Sequence, residues 1–311
     1  MEIEALVDSP VDNSTIFSNL ESVNQQLAHF GKERLNPEIA PDSEEAIFQK
    51  IAEHAELANL EINFLLAERQ KIAAIAAEAP TDVDGFIEWY ENLKEVGPGQ
   101  YDPLFTWLAE EATMDEMRWF IRQEVVGEAG FDDLISLTQL RMPTRPKLEM
   151  SRNLWDEMGV GKEKGMHGPM LEILAEEMNI SEIGETVWEA QSLSNVMVGL
   201  AANRCFAFHS VGCLGAVELT APSRCVEVVK GLERLGISNQ AAIYYRLHSL
   251  IDVRHSEDWN KEVIANLVAE DPARARCIAE GALMRLNAGA RTFDRYRDHF
   301  GLGGERAHVT G

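Results

Sequence analysis

Residues 244–259, which read YYRLHSLIDVRHSEDW, contain two histidines and an aspartate at helical spacing. His248, Asp252 and His255 stand at positions i, i+4 and i+7. At about 100° per residue, their side chains fall within roughly 60° of one another around a helix. Two imidazoles and a carboxylate on one face are suitable metal ligands, and further helices would have to complete the site.

The residues beside this triplet bear on whether its face is buried. Leu247, Leu250 and Ile251 flank it and favour a buried face. The same pattern also occurs on solvated helices, where the three side chains are surface polar groups. The triplet alone therefore leaves both interpretations open.

The rest of the chain predicts helices. Apolar residues recur at helical spacing, beginning with a long helix over residues 43–79. No segment alternates with period two, and no GxGxxG, P-loop or repeat occurs. We therefore expect an all-α fold with one helical domain at residues 43–300. Residues 1–42 are predicted as a weakly ordered extension with at most one short helix near residues 16–30, and residues 301–311 as a flexible tail.

Composition restricts the class of partner. The 311 residues carry a formal net charge of −24, which repels nucleic acid and anionic membranes. The sequence shows neither an N-terminal signal pattern nor a continuous apolar run of about 18 residues. We expect a soluble, cytoplasmic protein that binds no nucleic acid and no membrane. Its four cysteines form no CxxC pair and are predicted to be reduced, mostly buried thiols.

Four more residues are candidate ligands. Glu157 and His167 stand on either side of a glycine-rich break, and their spacing alone does not indicate a joint site. Glu218 is the single acid of an apolar segment that we expect to be interrupted at Pro222. Glu124 lies on or beside an apolar face, where an unpaired carboxylate is costly.

Taken in order, these segments resemble the haem-oxygenase-like diiron oxidases and oxygenases. NLWDEMGVGKEKGMHGPM (153–170) is similar to that family's Asn-Leu-x-Asp-Glu-x-Gly-x-Gly block and following histidine. LGAVELTAPSR (214–224) resembles its Gly-Ala-x-Glu segment. GLERLG (231–236), followed by YYRLHSLIDVRH (244–255), resembles its closing block. The resemblance spans about residues 105–270.

The resemblance implies an up-and-down bundle of about seven core helices plus N-terminal helices. It also implies a site for two iron ions without haem, with O2 as co-substrate and an external electron donor. Oxygen and imidazole ligands without thiolates suit iron or manganese better than a structural zinc. Six ligands are carried over from the family: Glu157, His167, Glu218, His248, Asp252 and His255.

Glu124 is predicted as a seventh ligand that takes part in catalysis. Two Fe(II) ions bring four positive charges, and Glu157, Glu218 and Asp252 supply three negative ones. A fourth carboxylate would neutralise the buried cluster, and Glu124 could supply it. In the resembled family, an extra core-helix carboxylate accompanies oxygenation of nitrogen, whereas six ligands are typical of members that cleave or desaturate carbon chains.

The resemblance thus implies an oxygenase that converts a small amine or guanidine into a hydroxylamine, nitroso or nitro product. Two alternatives stay open. The first is oxidative C–C cleavage or desaturation of an amino or fatty acid, and the second is a metal-free helical binding protein. The resemblance further implies a homodimer. Four arginines are possible substrate anchors: Arg204, Arg224, Arg246 and Arg254.

Overall fold

A computed structural model describes residues 19–128, 130–180 and 186–303. The first part of the predicted extension and most of the predicted tail lie outside these ranges. The described residues form α-helices, short 3₁₀ turns and one π-helix, and they contain no β-strand. The predicted all-α class is therefore confirmed.

The α-helices are numbered in chain order, and the π-helix, Trp259–Ile264, follows α11 directly. Their bounds are α1 Leu20–Leu35, α2 Glu44–Ala76, α3 Val83–Val96, α4 Pro103–Glu110, α5 Met114–Glu128, α6 Phe131–Thr138, α7 Thr144–Glu157, α8 His167–Glu177, α9 Trp188–Ala202, α10 Ala207–Arg234, α11 Ile243–Asp258, α12 Ala265–Glu270 and α13 Ala273–Phe300.

Side-chain caps fix the starts of the early helices. The Ser43 hydroxyl accepts a hydrogen bond of 3.2 Å from the backbone N–H of Ala46 at the start of α2. Asp82 accepts one of 2.9 Å from Gly85 in the same way at the start of α3. Each cap satisfies a backbone donor that the first turn of a helix leaves unpaired. The start of α2 agrees with the helix predicted from residue 43.

Helix α1 lies inside the range predicted as a weakly ordered extension. It buries Val23, Leu27 and Phe30 against the bundle. The Asn195 amide on α9 donates a 2.9 Å hydrogen bond to the backbone carbonyl of Asn24, which ties the two helices together. The range 1–42 therefore includes a packed helix. The division of the chain into extension, domain and tail stays a prediction.

Pro222 does not interrupt its helix, contrary to our expectation. Helix α10 runs from Ala207 to Arg234 with Pro222 inside it. A proline removes one backbone donor and costs about 3 kcal/mol in a helix interior. Sixteen residues of α10 are buried, and their packing on α11 and α13 outweighs that cost.

The buried apolar residues form two clusters, and α10 and α13 pass from one into the other. The first cluster joins the beginning of α10 and α13 to α1, α2, α3 and α9. The second joins the end of α10 and α13 to α4, α5, α8 and α11. Side chains near the middle of α10 therefore lie between two apolar cores. Glu218 is one of them.

Two further features bear on the predictions from composition. None of the helices in the described ranges is both long enough and apolar enough to cross a bilayer. The four cysteines all lie in those ranges and none is in a disulfide. Cys213 and Cys225 are buried, whereas Cys205 is exposed. The cysteines are free thiols, as predicted, but only two of the four are buried.

Candidate metal centre

Helix α11 presents the triplet to the interior. His248, Asp252 and His255 are 6%, 3% and 4% exposed. Oδ1 of Asp252 lies 3.1 Å from Nδ1 of His248 one turn earlier. The predicted burial of this face is confirmed. Leu250, however, is 76% exposed, so our use of Leu250 as evidence for a buried face was wrong. Leu250 lies roughly 160° around the helix from Asp252, which places it on the outer side.

A folded-back loop brings Glu157 and His167 together. Helix α7 ends at Glu157, α8 begins at His167, and Met158 pairs with Met166 across the loop. Gly159 has a φ of 61°, and a Cβ there would lie 2.5 Å from the carbonyl carbon of Gly165. The tight turn places Nε2 of His167 in contact with Oε2 of Glu157, although ten residues separate them.

Three carboxylates converge on His255. Its Nδ1 lies 3.4 Å from Oε2 of Glu218, 3.6 Å from Oε1 of Glu157 and 3.8 Å from Oδ1 of Asp252. This buried nitrogen has no hydrogen-bond partner in the described part of the chain. Ligands about 2.1 Å from a common ion lie about 3 to 4 Å from one another, so the spacing fits a metal site.

The ligand atoms form two groups that share one residue. Atoms of Glu157, His167 and His248 lie within 4.8 Å of one another, and so do atoms of Glu157, Glu218 and His255. Glu157 is common to both groups. Carboxylate and imidazole donors without a thiolate suit iron, and these groups are compatible with an iron site.

Two residues outside this set orient its members. Asn153 on α7 donates a 2.8 Å hydrogen bond to Oε1 of Glu218. Oδ2 of Asp156 lies 3.2 Å from Nε2 of His255, which leaves Nδ1 facing the carboxylates. Sequence reasoning missed both residues. Asn153 stands four residues before Glu157, on the same helix face, and this spacing could have identified it.

Crowded carboxylates control the electrostatics. Burial, together with Glu218 and Glu157, raises the pKa of Asp252 to about 10. Burial lowers the pKa of His255, but the nearby carboxylates of Glu218, Asp156 and Glu157 outweigh it and raise that pKa to about 9. Apart from the burial of Asp252, both shifts arise because too few positive charges face several buried acids. Divalent cations would supply that charge and displace the protons.

Glu124 lies apart from the two ligand groups. It lines the same cavity, and its Oε1 accepts a 3.1 Å hydrogen bond from the Tyr296 hydroxyl on α13. In the described residues it belongs to neither of the groups that share Glu157. Its role as a seventh ligand stays a prediction.

Five of the six predicted ligands, all but His255, line a cavity of about 60 Å³, enough for roughly four to six water molecules. Away from the ligands its wall is largely aromatic, and it includes two arginines, Arg224 and Arg285. Arg204 instead donates to the carbonyl of Leu137. Sequence reasoning missed Arg285, whose helix carries arginines on several faces.

The two remaining predicted anchors also point elsewhere. Arg246 pairs with Glu233 and donates a 2.7 Å hydrogen bond to Asn239. Arg254 donates a 2.6 Å hydrogen bond to Asp156 at the surface. Of the four predicted anchors, Arg224 is therefore the one that reaches the cavity.

Comparison with known proteins identifies the family. The model of a family described as iron-containing redox enzymes matches residues 118–290, more than half of the chain. A solved domain of unknown function with a haem oxygenase-like fold, from Shewanella denitrificans OS217, is similar with a TM-score of 0.52 and 14% identity. That match covers 75% of this chain and 93% of the solved one, and it confirms the predicted fold. No curated protein matches the chain. The chain belongs to the family of iron-containing redox enzymes and has a haem oxygenase-like fold.

Proposed function

We propose that this chain is a non-haem diiron oxygenase that activates O2 and oxygenates a nitrogen of a small amine or guanidine. The observation that carries the proposal is the pair of ligand groups sharing Glu157. A shared carboxylate supports two adjacent ions rather than one. Bound irons would supply the O2-activating redox chemistry, with electrons from an external donor.

The protein's own residues hold and orient the ions. His167 and His248 would bind one ion, Glu218 and His255 the other, and Glu157 both. Asp252 lies within 4 Å of both histidines of α11 and could bind on either side. Burial keeps bulk water from these groups, and Asn153 and Asp156 fix the orientation of the ligands they contact.

Charge balance supports nitrogen oxygenation. The three converging carboxylates leave one positive charge on two Fe(II) ions, and a buried net charge is unfavourable. Glu124 lines the cavity and is a carboxylate that could neutralise it. We propose that Glu124 completes the site, as in the nitrogen-oxygenating members of the resembled family.

One observation favours a second candidate function, oxidative C–C cleavage or desaturation. The Tyr296 hydroxyl holds Glu124 by a hydrogen bond of 3.1 Å on the cavity wall. If Glu124 stays there, six ligands remain, the number typical of the cleaving and desaturating members. A metal-free binding protein is disfavoured by membership of an iron-containing family.

Anaerobic loading with Fe(II), followed by mixing with O2, tests the proposal. We expect two irons per chain, a transient visible absorption band, and a substrate mass increased by oxygen in a panel of amines and guanidines. Loss of a carbon fragment or of two hydrogens would instead support the second candidate. A Glu124→Gln variant with unchanged iron content and product would remove the reason for preferring nitrogen oxygenation.

We further propose that the enzyme works as a homodimer in the cytoplasm. The family resemblance supports the dimer. The net charge of −24 bears on a separate point and supports a substrate other than nucleic acid. Sedimentation at micromolar concentration tests the dimer, for which a mass near 69 kDa would be about twice the 34.7 kDa of the chain.

A further inference from the structure

Arg285 lies buried at the cavity wall without partners for part of its guanidinium. The residue is 8% exposed, and its Nε and Nη1 have no hydrogen-bond partner in the described residues. It lines the cavity that contains the metal ligands. An unpaired buried cationic donor is costly, and this cost indicates that Arg285 meets a partner that enters the cavity.

Arg224 lies at the same end of the cavity. It stands six residues after Glu218 on α10, about 9 Å further along the helix axis. Its guanidinium carbon is 4.9 Å from the ring centroid of Phe293 and 5.9 Å from that of Phe105. Burial lowers the pKa of Arg224 to about 9, and the neighbouring charge of Arg285 lowers it too.

The charges near these two arginines do not balance. Glu124 is the carboxylate beside Arg224 in the cavity wall. Asp102, the next acid near Arg224, pairs with Arg297. The Cys213 thiol near Arg285 stays neutral, because burial raises its pKa to about 12. If Glu124 faces the two guanidiniums, one positive charge is left for an incoming anion, and if Glu124 neutralises the metal centre, both positive charges are left.

We propose that this end of the cavity binds the carboxylate of the substrate, with Arg285 and Arg224 as donors. The rings of Phe105 and Phe293, with centroids 5.0 Å apart, then pack on its hydrocarbon part. The substrate class is a small organic acid with an apolar body, carrying its oxidisable group at the opposite end. This inference rests on the proposed function, because it takes the cavity beside the ligands as the substrate site.

Arginine binds carboxylates through two parallel hydrogen bonds, so it fixes orientation as well as charge. An acid held at Arg285 and Arg224 directs its far end toward Glu218 and the other ligands in the same cavity. The two arginines therefore select the substrate and position it, while the acidic cluster remains for the metal ions.

Isothermal titration of the full-length chain, without added iron, tests the proposal. The probes are phenylacetate and hexanoate, each paired with its neutral amide. We expect each acid to bind more tightly than its amide. Arg285→Met and Arg224→Met each weaken acid binding by about 10- to 100-fold and leave amide binding unchanged. Arg246→Met, at a surface arginine paired with Glu233, is the matched control and leaves both unchanged.

Thermal melting of each variant shows whether it is folded, and Arg285→Lys is a second variant that keeps the charge. Recovery of part of the acid binding in Arg285→Lys supports the proposal. Acids that bind no more tightly than their amides, or acid binding equal in wild type and both Met variants, would overturn it.

Iron content separates this inference from the proposed function. A chain that binds acids through Arg285 but takes up no iron contradicts the diiron proposal alone. A chain that takes up two irons but does not distinguish acid from amide contradicts the carboxylate site alone. Arg285→Met is expected to keep the iron content of the wild type, because Arg285 is not among the grouped ligands.

Discussion

Nδ1 of His255 lies 3.4 Å from Oε2 of Glu218, and no hydrogen bond joins the two atoms. The residues come from α11 and α10, which pack side by side. Both side chains are almost fully buried. Two polar atoms this close, buried and not bonded to each other, are arranged as ligands of a common ion.

Asn153 is predicted to tune metal affinity through Glu218, to which it donates a 2.8 Å hydrogen bond. We expect Asn153→Ala to lower Fe(II) affinity by about 10- to 100-fold, because Glu218 loses its orientation. Asn195→Ala is the control, since Asn195 is equally buried but bonds to Asn24. Anaerobic titration with Fe(II) measures both. Equal affinity losses in the two variants would contradict the positioning role.

Asp156 is predicted to hold His255 in the orientation that turns Nδ1 toward the carboxylates. Asp156→Ala removes the oxygen 3.2 Å from Nε2 and should weaken iron binding by about tenfold. Asp156→Asn keeps an oxygen acceptor and should have a smaller effect. Arg254→Met removes the surface partner of Asp156 and serves as control. Iron binding that falls as far in Asp156→Asn as in Asp156→Ala would show that charge, not orientation, matters.

Glu280 is predicted to contribute to stability above acidic pH. Burial raises its pKa, but hydrogen bonds from His209, Arg276 and Arg69 outweigh this and hold the pKa at about 2, below the ordinary 4.5. A lowered folded-state pKa stabilises the fold above pH 4.5, and this contribution is lost as the pH falls from 4.5 toward 2. Since both arginines are partly exposed, we expect about 1–2 kcal/mol.

Urea unfolding of Glu280→Gln between pH 7 and pH 3 measures this contribution. The difference in free energy of unfolding from wild type should be largest at pH 7 and should shrink below about pH 4.5. Glu270→Gln is the control, because Glu270 is 55% exposed in its pair with Arg274 and should change stability by less than about 0.5 kcal/mol. A difference that does not depend on pH would contradict the charge network.

Gly281 is predicted to be required for the close approach of α13 to α10. A Cβ at Gly281 would overlap the backbone carbonyl of His209, and one at Gly212 would overlap that of Ile278. We expect Gly281→Ala to destabilise the chain by about 1–3 kcal/mol in thermal or urea unfolding. Gly168→Ala is the control, because open space surrounds that position in α8, and it should be neutral or slightly stabilising. A Gly281→Ala variant as stable as Gly168→Ala would contradict this packing.

The spacing of residues along the chain was sufficient to predict part of this structure. The face of α11 followed from residue spacing, because the helix itself determines which side chains share a side. The contact between Glu157 and His167 did not follow, since it depends on a loop closed by Met158 and Met166. Only the family resemblance connected them beforehand.

The positions of Arg285 and Glu124 could not be deduced from local pattern. Helix α13 carries arginines on buried and exposed faces alike, and packing alone decides that Arg285 meets the cavity. Glu124 lies beside an apolar face, as spacing indicated, but its bond to Tyr296 joins residues far apart in the chain. Such long-range contacts arise from tertiary packing rather than from local spacing.

The central claim is that Glu157 is shared by two iron ions, and iron stoichiometry in ligand variants tests it most directly. Anaerobic Fe(II) loading followed by metal analysis should give two irons per chain in wild type. It should give about one iron in His167→Ala and in His255→Ala, and close to none in Glu157→Ala. His209→Ala, at a buried histidine bonded to Glu280, should keep two. Two irons retained in Glu157→Ala, or fewer than one in wild type, would contradict the account.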